Sequence, residues 1–245
     1  MSQLLADQNV VIYGAGGRVG SQVVRAFARE GATVFLAGRT RGPLDTVAAD
    51  VTADGGTAHV AVLDALDEAA VNEHISEVAA RAGRVDVSFN LTSRGDVHGI
   101  PLLEMTVEDF LAPITAGARS NFITAQAGAR QMVRQGSGVV LMLTSGSGAV
   151  LKPSPGFQMG GTGPADAAIE SFLHYLAAEV GPAGVRVVGL WTAGVFYPDQ
   201  MARLSLLGRG PTVKQLADAA TFVASERGSG ITASIVNVSS GVSAH

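Results

Sequence analysis

Cysteine is absent from all 245 residues. That excludes disulfides, thiolate metal sites and a cysteine nucleophile, and it fits a reducing compartment. A basic surplus is also missing: 17 Lys+Arg stand against 21 Asp+Glu, a net charge of −4. Nothing is left over to neutralise a phosphate backbone, so nucleic acid is not an expected partner. No apolar run approaches the ~18 residues a membrane span needs. The opening residues carry neither a basic segment nor a long apolar one, so no secretory signal is expected and the cytoplasm is the expected location. The five histidines show no paired helical spacing with carboxylates, so no metal site is expected.

What the chain does have is a core and a rhythm. Apolar residues make up 47% and charged residues only 16%, which excludes intrinsic disorder. The 31 glycines have no three-residue period, which excludes collagen. Short apolar runs at 10–13, 32–37, 58–63, 85–90, 139–143, 185–190 and 231–238 read as strands. Helical spacing fills 18–30, 44–53, 68–82, 106–135, 164–180 and 212–225, the fourth read as two helices broken near Gly117. The strand runs are continuously apolar rather than alternating, as expected of strands covered on both faces. The expected fold is a single α/β domain over 1–245: a doubly wound, Rossmann-type, seven-stranded parallel sheet with helices on both faces. Two Gly/Pro-broken stretches, 146–163 and 192–211, start just after strands, at the sheet edge where such folds bind ligands. The second is expected to cover a substrate.

The strongest motif is Tyr13-Gly14-Ala15-Gly16-Gly17-Arg18-Val19-Gly20, between the first strand and the first helix. Glycines Gly14, Gly16 and Gly20 allow a tight turn and close approach to a pyrophosphate, and the helix start at Arg18 and Val19 offers free N–H donors. Where the second strand ends, an acid would bind the ribose 2′-hydroxyl of NAD(H). This chain has Gly38-Arg39 instead, and a guanidinium suits the 2′-phosphate of NADP(H), which is therefore the favoured cofactor. The plainer reading of Arg39 is a solvated residue opening the next helix. Asp64, followed by Ala65, closes the third strand and could accept from an adenine amino group; its plainer reading is a helix N-cap.

These residues, with Asn90 and Ser145 at their spacings, make the chain resemble the short-chain dehydrogenase/reductase family from end to end. The family's Asn-Asn-Ala-Gly after the fourth strand appears as Asn90-Leu91-Thr92-Ser93, and its Pro-Gly after the sixth as Ala193-Gly194, followed by Val195. The resemblance implies that Asn90, Gly194 and Val195 belong to the cofactor site. The glycine turn departs at Arg18, which either reaches the pyrophosphate or projects into solvent. The catalytic positions depart further. Ser145 matches the family serine, but the tyrosine and lysine positions are Thr162 and Asp166, and the helix asparagine aligns with Gly117. Lys152 lies in the loop before the helix and is not expected to replace the lysine. Tyr197, in the expected lid, and His98, after the fourth strand, are alternative proton donors, with lid packing and a plain surface position as their simpler roles. Ser147 is a candidate substrate contact or turn residue. His174 and Tyr175, mid-helix, read as packing or interface residues.

The expectation is an NADP(H)-dependent oxidoreductase acting on a small carbonyl or conjugated enoyl substrate through a non-standard proton donor. Ser145, Thr162, Asp166 and Tyr197 are its candidate catalytic residues. The alternatives are a non-redox enzyme on the same scaffold (isomerase, lyase or hydrolase) and a non-catalytic nucleotide-binding protein. A homo-oligomer, tetramer or dimer, is expected from the resemblance and from Ala-rich helices able to pack closely across a two-fold axis.

Overall fold

The computed structural model describes residues 3–146 and 158–243. Its seven strands are β1 (Asn9–Tyr13), β2 (Thr33–Gly38), β3 (Thr57–Val62), β4 (Val87–Asn90), β5 (Gly138–Thr144), β6 (Val185–Trp191) and β7 (Ser234–Asn237). They form one sheet in the order β3-β2-β1-β4-β5-β6-β7, with every pairing parallel. The helices are α1 (Arg18–Arg29), α2 (Arg41–Ala53), α3 (Glu68–Ala82), α4 (Val107–Gln135), α5 (Thr162–Val180), α6 (Pro198–Ala202) and α7 (Val213–Ala224).

The continuous apolar runs split by residue parity, because successive strand side chains point to opposite faces. Ile12, Leu36, Phe89 and Leu190 face α1, α2 and α7, against Phe27, Val47 and Leu216. Val11, Phe35, Val140 and Val187 face α3, α4 and α5, against Ile75, Met132 and Leu173. Burying both layers fixes register, since a one-residue slip would exchange the faces. Strand order reverses beside β1, whose neighbours are β2 and β4, so their carboxyl ends open a crevice there.

The expected break near Gly117 is not found: α4 runs unbroken for 29 residues, through Pro113 and Gly117. A helical glycine costs only ~1 kcal/mol. Gly117 is buried against Arg94 and Ile169, and its carbonyl accepts from Asn121 Nδ2 at 2.9 Å, so packing holds the helix together. The last strand is shorter than 231–238. Ala233 takes a positive φ of 49°, and Thr232 pairs through its hydroxyl with Val187 N, so ladder pairing starts at Ser234. Within 192–211 the structure adds the short α6, which the glycines and prolines around it conceal in the sequence. Among the described residues, no helix is long and apolar enough to cross a membrane.

His74 of α3 is buried edge-on against Tyr13, ring centroids 6.1 Å apart. Burial pushes its imidazole down from 6.5 to about 4. The unfolded chain therefore takes up this proton before the folded one does. The stability His74 contributes as a neutral ring is full above about 6.5 and is lost as pH falls towards about 4. The loss should reach about 3 kcal/mol. Urea unfolding of wild type and His74→Leu at pH 7 and pH 4.5 checks this, because the variant should lose less stability on acidification.

Candidate active site

The glycine turn is dictated by close packing. Gly14 has φ +74°, and a Cβ there would lie 2.5 Å from Leu91 O; a Cβ on Gly20 would lie 2.2 Å from Gly14 O. These contacts seat α1 directly against the end of β1. Gly17 caps α1 without a side-chain hydrogen bond, and no acid lies in the first turn, so the helix offers bare N–H groups. They face a cleft of about 640 Å³ along the carboxyl edge of the sheet.

Nine of the expected cofactor residues line this cleft: Gly14, Gly16, Arg18, Val19, Gly20, Arg39, Asp64, Ala65 and Asn90. The N-cap reading of Asp64 does not hold. Asp67 caps α3 by accepting from Ala70 N, while Asp64 closes a local turn through Leu66 N at 3.0 Å. Asn90 is buried; its Oδ1 accepts from Thr92 N and Thr92 Oγ1, and its Nδ2 donates to Ser120 Oγ at 3.3 Å. Arg18 does not simply project into solvent: its guanidinium carbon sits 3.8 Å from the centre of the Phe196 ring. That contact ties the glycine turn to the loop after β6. Gly194 and Val195 are not part of the cleft lining, whereas their neighbour Phe196 is. Gly194 instead turns the chain with φ +57° under Met201, and its carbonyl accepts from Tyr197 N at 2.7 Å. Tyr197 is exposed at the start of α6.

The residues read as catalytic fall in two layers. Ser145 follows β5 and lines the cleft. Thr162 and Asp166, on the first turns of α5, lie behind it, 1% and 0% exposed. Asp166 Oδ2 accepts from Ser145 N at 2.8 Å and Gly146 N at 2.6 Å, and Oδ1 takes the Arg94 guanidinium. Burial pushes the Asp166 carboxyl up, against the opposing pull of Arg94 and the two amides. Three donors on one carboxylate keep it ionised at neutral pH. Arg94 also pairs with Asp96 at 3.5 Å. Thr162 Oγ1 donates to Asp96 Oδ1 at 2.8 Å and meets His98 Nε2 at 2.9 Å.

Arg94 and Asp96, both on the cleft wall, are the residues that sequence reasoning missed. Their signal was a charged pair just beyond Asn90, at the binding edge. The stem of Arg94 lies where a side chain on Gly117 would go, since a Cβ there would be 2.7 Å from Arg94 Cδ. One cation thus fills the space vacated on α4 and satisfies the acid on α5. His174 and Tyr175 are exposed on the outer side of α5. Ser147 and Lys152 lie outside the described residues. Among the described residues, no cluster of His, Asp and Glu could hold a metal ion.

Residues 14–243 match the family model described as enoyl-(acyl carrier protein) reductase. The chain is 25% identical to gluconate 5-dehydrogenase of Gluconobacter oxydans, over 97% of this chain and 95% of that one. It is 27% identical to a 3-oxoacyl-(acyl-carrier-protein) reductase of Chlamydia muridarum, over 99% and 100%. A short-chain type dehydrogenase/reductase from Mycobacterium marinum superposes with a TM-score of 0.89 at 25% identity, covering 98% of this chain and 97% of that one. With its parallel sheet, its glycine turn on a helix start and its cleft at the point of strand reversal, the chain belongs to the short-chain dehydrogenase/reductase family and is an oxidoreductase of that type.

Proposed function

We propose that the protein is an NADP(H)-dependent oxidoreductase of a small carbonyl or conjugated enoyl substrate, with a proton donor other than the family's tyrosine. The carrying observation is Arg39, exposed at the end of β2 on the wall of the cleft, where no acid stands to receive a ribose 2′-hydroxyl. A guanidinium there answers a 2′-phosphate with charge-assisted hydrogen bonds. The cradle suits a dinucleotide: Gly14 and Gly20 leave no room for side chains, and α1 presents uncapped N–H groups. When bound, the nicotinamide supplies hydride chemistry. The chain supplies a seat for the pyrophosphate at Gly14–Gly20, a carboxylate at Asp64 and a hydroxyl at Ser145. A family model named for an enoyl reductase and a relative named for a 3-oxoacyl reductase support a substrate with a carbonyl group.

Arg39→Ala should weaken NADPH binding by about 10- to 100-fold, the value of a charged hydrogen bond, and leave NADH binding nearly unchanged. Fluorescence titration of both proteins with both cofactors checks this; equal affinity of wild type for NADPH and NADH would refute it. The reading extends to a cytoplasmic homo-oligomer, a tetramer or dimer. The outer faces of α4 and α5 support it, where exposed Phe122 pairs with Phe172 at 5.6 Å and Tyr175 is 77% exposed.

A further inference from the structure

We infer that Asp96 is the catalytic acid of this site, recharged through the Thr162 hydroxyl by His98. The inference rests on the carbonyl-reductase reading above and says where that reaction's proton comes from. Thr162 stands at the family's tyrosine position, yet it is buried and off the cleft wall. Asp96 is on the wall, and Thr162 connects it to the exposed His98.

The hydrogen bonds fix a direction. A threonine hydroxyl has one proton. Thr162 gives it to Asp96 Oδ1 at 2.8 Å, so the 2.9 Å contact with His98 must be one that Thr162 accepts. His98 therefore carries hydrogen on Nε2 and leaves Nδ1 to exchange with water. The charged groups around this path are Arg94 and Asp96 from the same loop and Asp166 from α5; α4 contributes only the uncharged Gly117 beside Arg94. Arg94 is a positioning residue, held by Asp166 and in turn holding Asp96.

The proton balance closes. Hydride arriving at the substrate carbon moves the C=O π pair onto oxygen. That oxygen takes a proton from Asp96 Oδ2, the oxygen Thr162 does not hold. Asp96 Oδ1 takes the Thr162 proton, and Thr162 Oγ1 takes the Nε2 proton of His98. An imidazolium thereby becomes a neutral imidazole with its hydrogen on Nδ1, and water restores the Nε2 proton. A carboxyl alone is a poor proton store at neutral pH. Imidazole is the side chain that loads and unloads there, so coupling the two gives a donor matched to the working range.

Two measurements on the full chain test this. The first needs no cofactor: nitrogen-15 NMR of the His98 ring. Neutral His98 should be predominantly the Nε2–H tautomer in wild type and revert to a solvent-like mixture in Thr162→Val. A solvent-like mixture already present in wild type overturns the relay, whatever the cofactor does. The second is NADPH oxidation with cyclohexanone and cyclohex-2-enone at pH 6 and pH 8. Wild type should be faster at pH 6. Asp96→Asn and His98→Gln should lose about 10²-fold or more in kcat with NADPH affinity unchanged, and His98→Gln should lose the pH dependence. Undiminished rates in both variants overturn the relay and leave the reductase reading standing. Failure of wild type to bind NADPH overturns the reductase reading, while the NMR result still decides the relay. NADPH binding without turnover of either carbonyl overturns the role of Asp96 as acid.

Discussion

Asp166→Ala is expected to cost about 3–5 kcal/mol of folding stability, the usual penalty for removing one partner of a buried ion pair. Asp166 is fully buried, and its loss strips three donors at once. The Arg94 side chain, 11% exposed, would keep only Asp96 at 3.5 Å. The amides of Ser145 and Gly146 would be left without their acceptor, at ~1–3 kcal/mol for each that water does not reach. Against a domain stability of ~5–15 kcal/mol, that is a large share. Asp166→Asn should fall between, since an amide oxygen can serve the two backbone donors but offers Arg94 no charge. Asp218→Ala provides the contrast. It breaks the exposed Lys214–Asp218 pair on α7 and should change stability by no more than about 0.5 kcal/mol. Equilibrium urea unfolding at pH 7 measures all three. An Asp166→Ala protein as stable as Asp218→Ala would mean that the ion pair does not organise the end of β5.

This dependence on one carboxylate marks where sequence reading stops. The strands were legible because a sheet buried on both faces demands unbroken apolar runs, and Ile12, Leu36 and Val140 satisfy that demand locally. The glycine turn was legible because Gly14 and Gly20 answer backbone contacts a few residues away. The break expected near Gly117 reflects helix propensity without its context. The reason for that glycine is Arg94, a residue on a different segment, and propensity carries no record of it. The same holds for the acid cluster. Asp166 alone, at the family's lysine position, reads as a charge of the wrong sign. Beside Arg94, 72 residues earlier in the chain, it is one half of an exchanged pair, with the cation now on the loop after β4. Thr162 alone reads as a lost tyrosine. Its hydroxyl acquires a role only through Asp96 and His98, 66 and 64 residues away. Contacts over such separations come from the fold's topology, which brings the loop after β4 and the start of α5 to one sheet edge.

The exchange also governs whether the family's own machinery can be restored. Thr162→Tyr combined with Asp166→Lys is expected to fail as a pair, losing about 5 kcal/mol or more and folding poorly. The introduced ammonium would be fully buried beside the Arg94 guanidinium, a like-charge contact in place of an ion pair. The larger ring would enter a position 1% exposed and already filled by contacts to Asp96 and His98. Removing the resident cation should reverse much of this. Adding Arg94→Ala takes away the repulsion and empties the space over Gly117, and Gly117→Asn then returns a side chain to that space. The four-substitution protein should regain stability relative to the two-substitution protein. It should also reduce simple ketones about 10²- to 10⁴-fold faster than the same protein with position 162 left as Thr, the range attributed to a positioned general acid. Urea midpoints and NADPH oxidation with cyclohexanone, measured across the series, read the two effects separately. A two-substitution protein as stable as wild type would show that Arg94 moves aside at no cost. Arg94 and Asp166 would then be neighbours without being coupled.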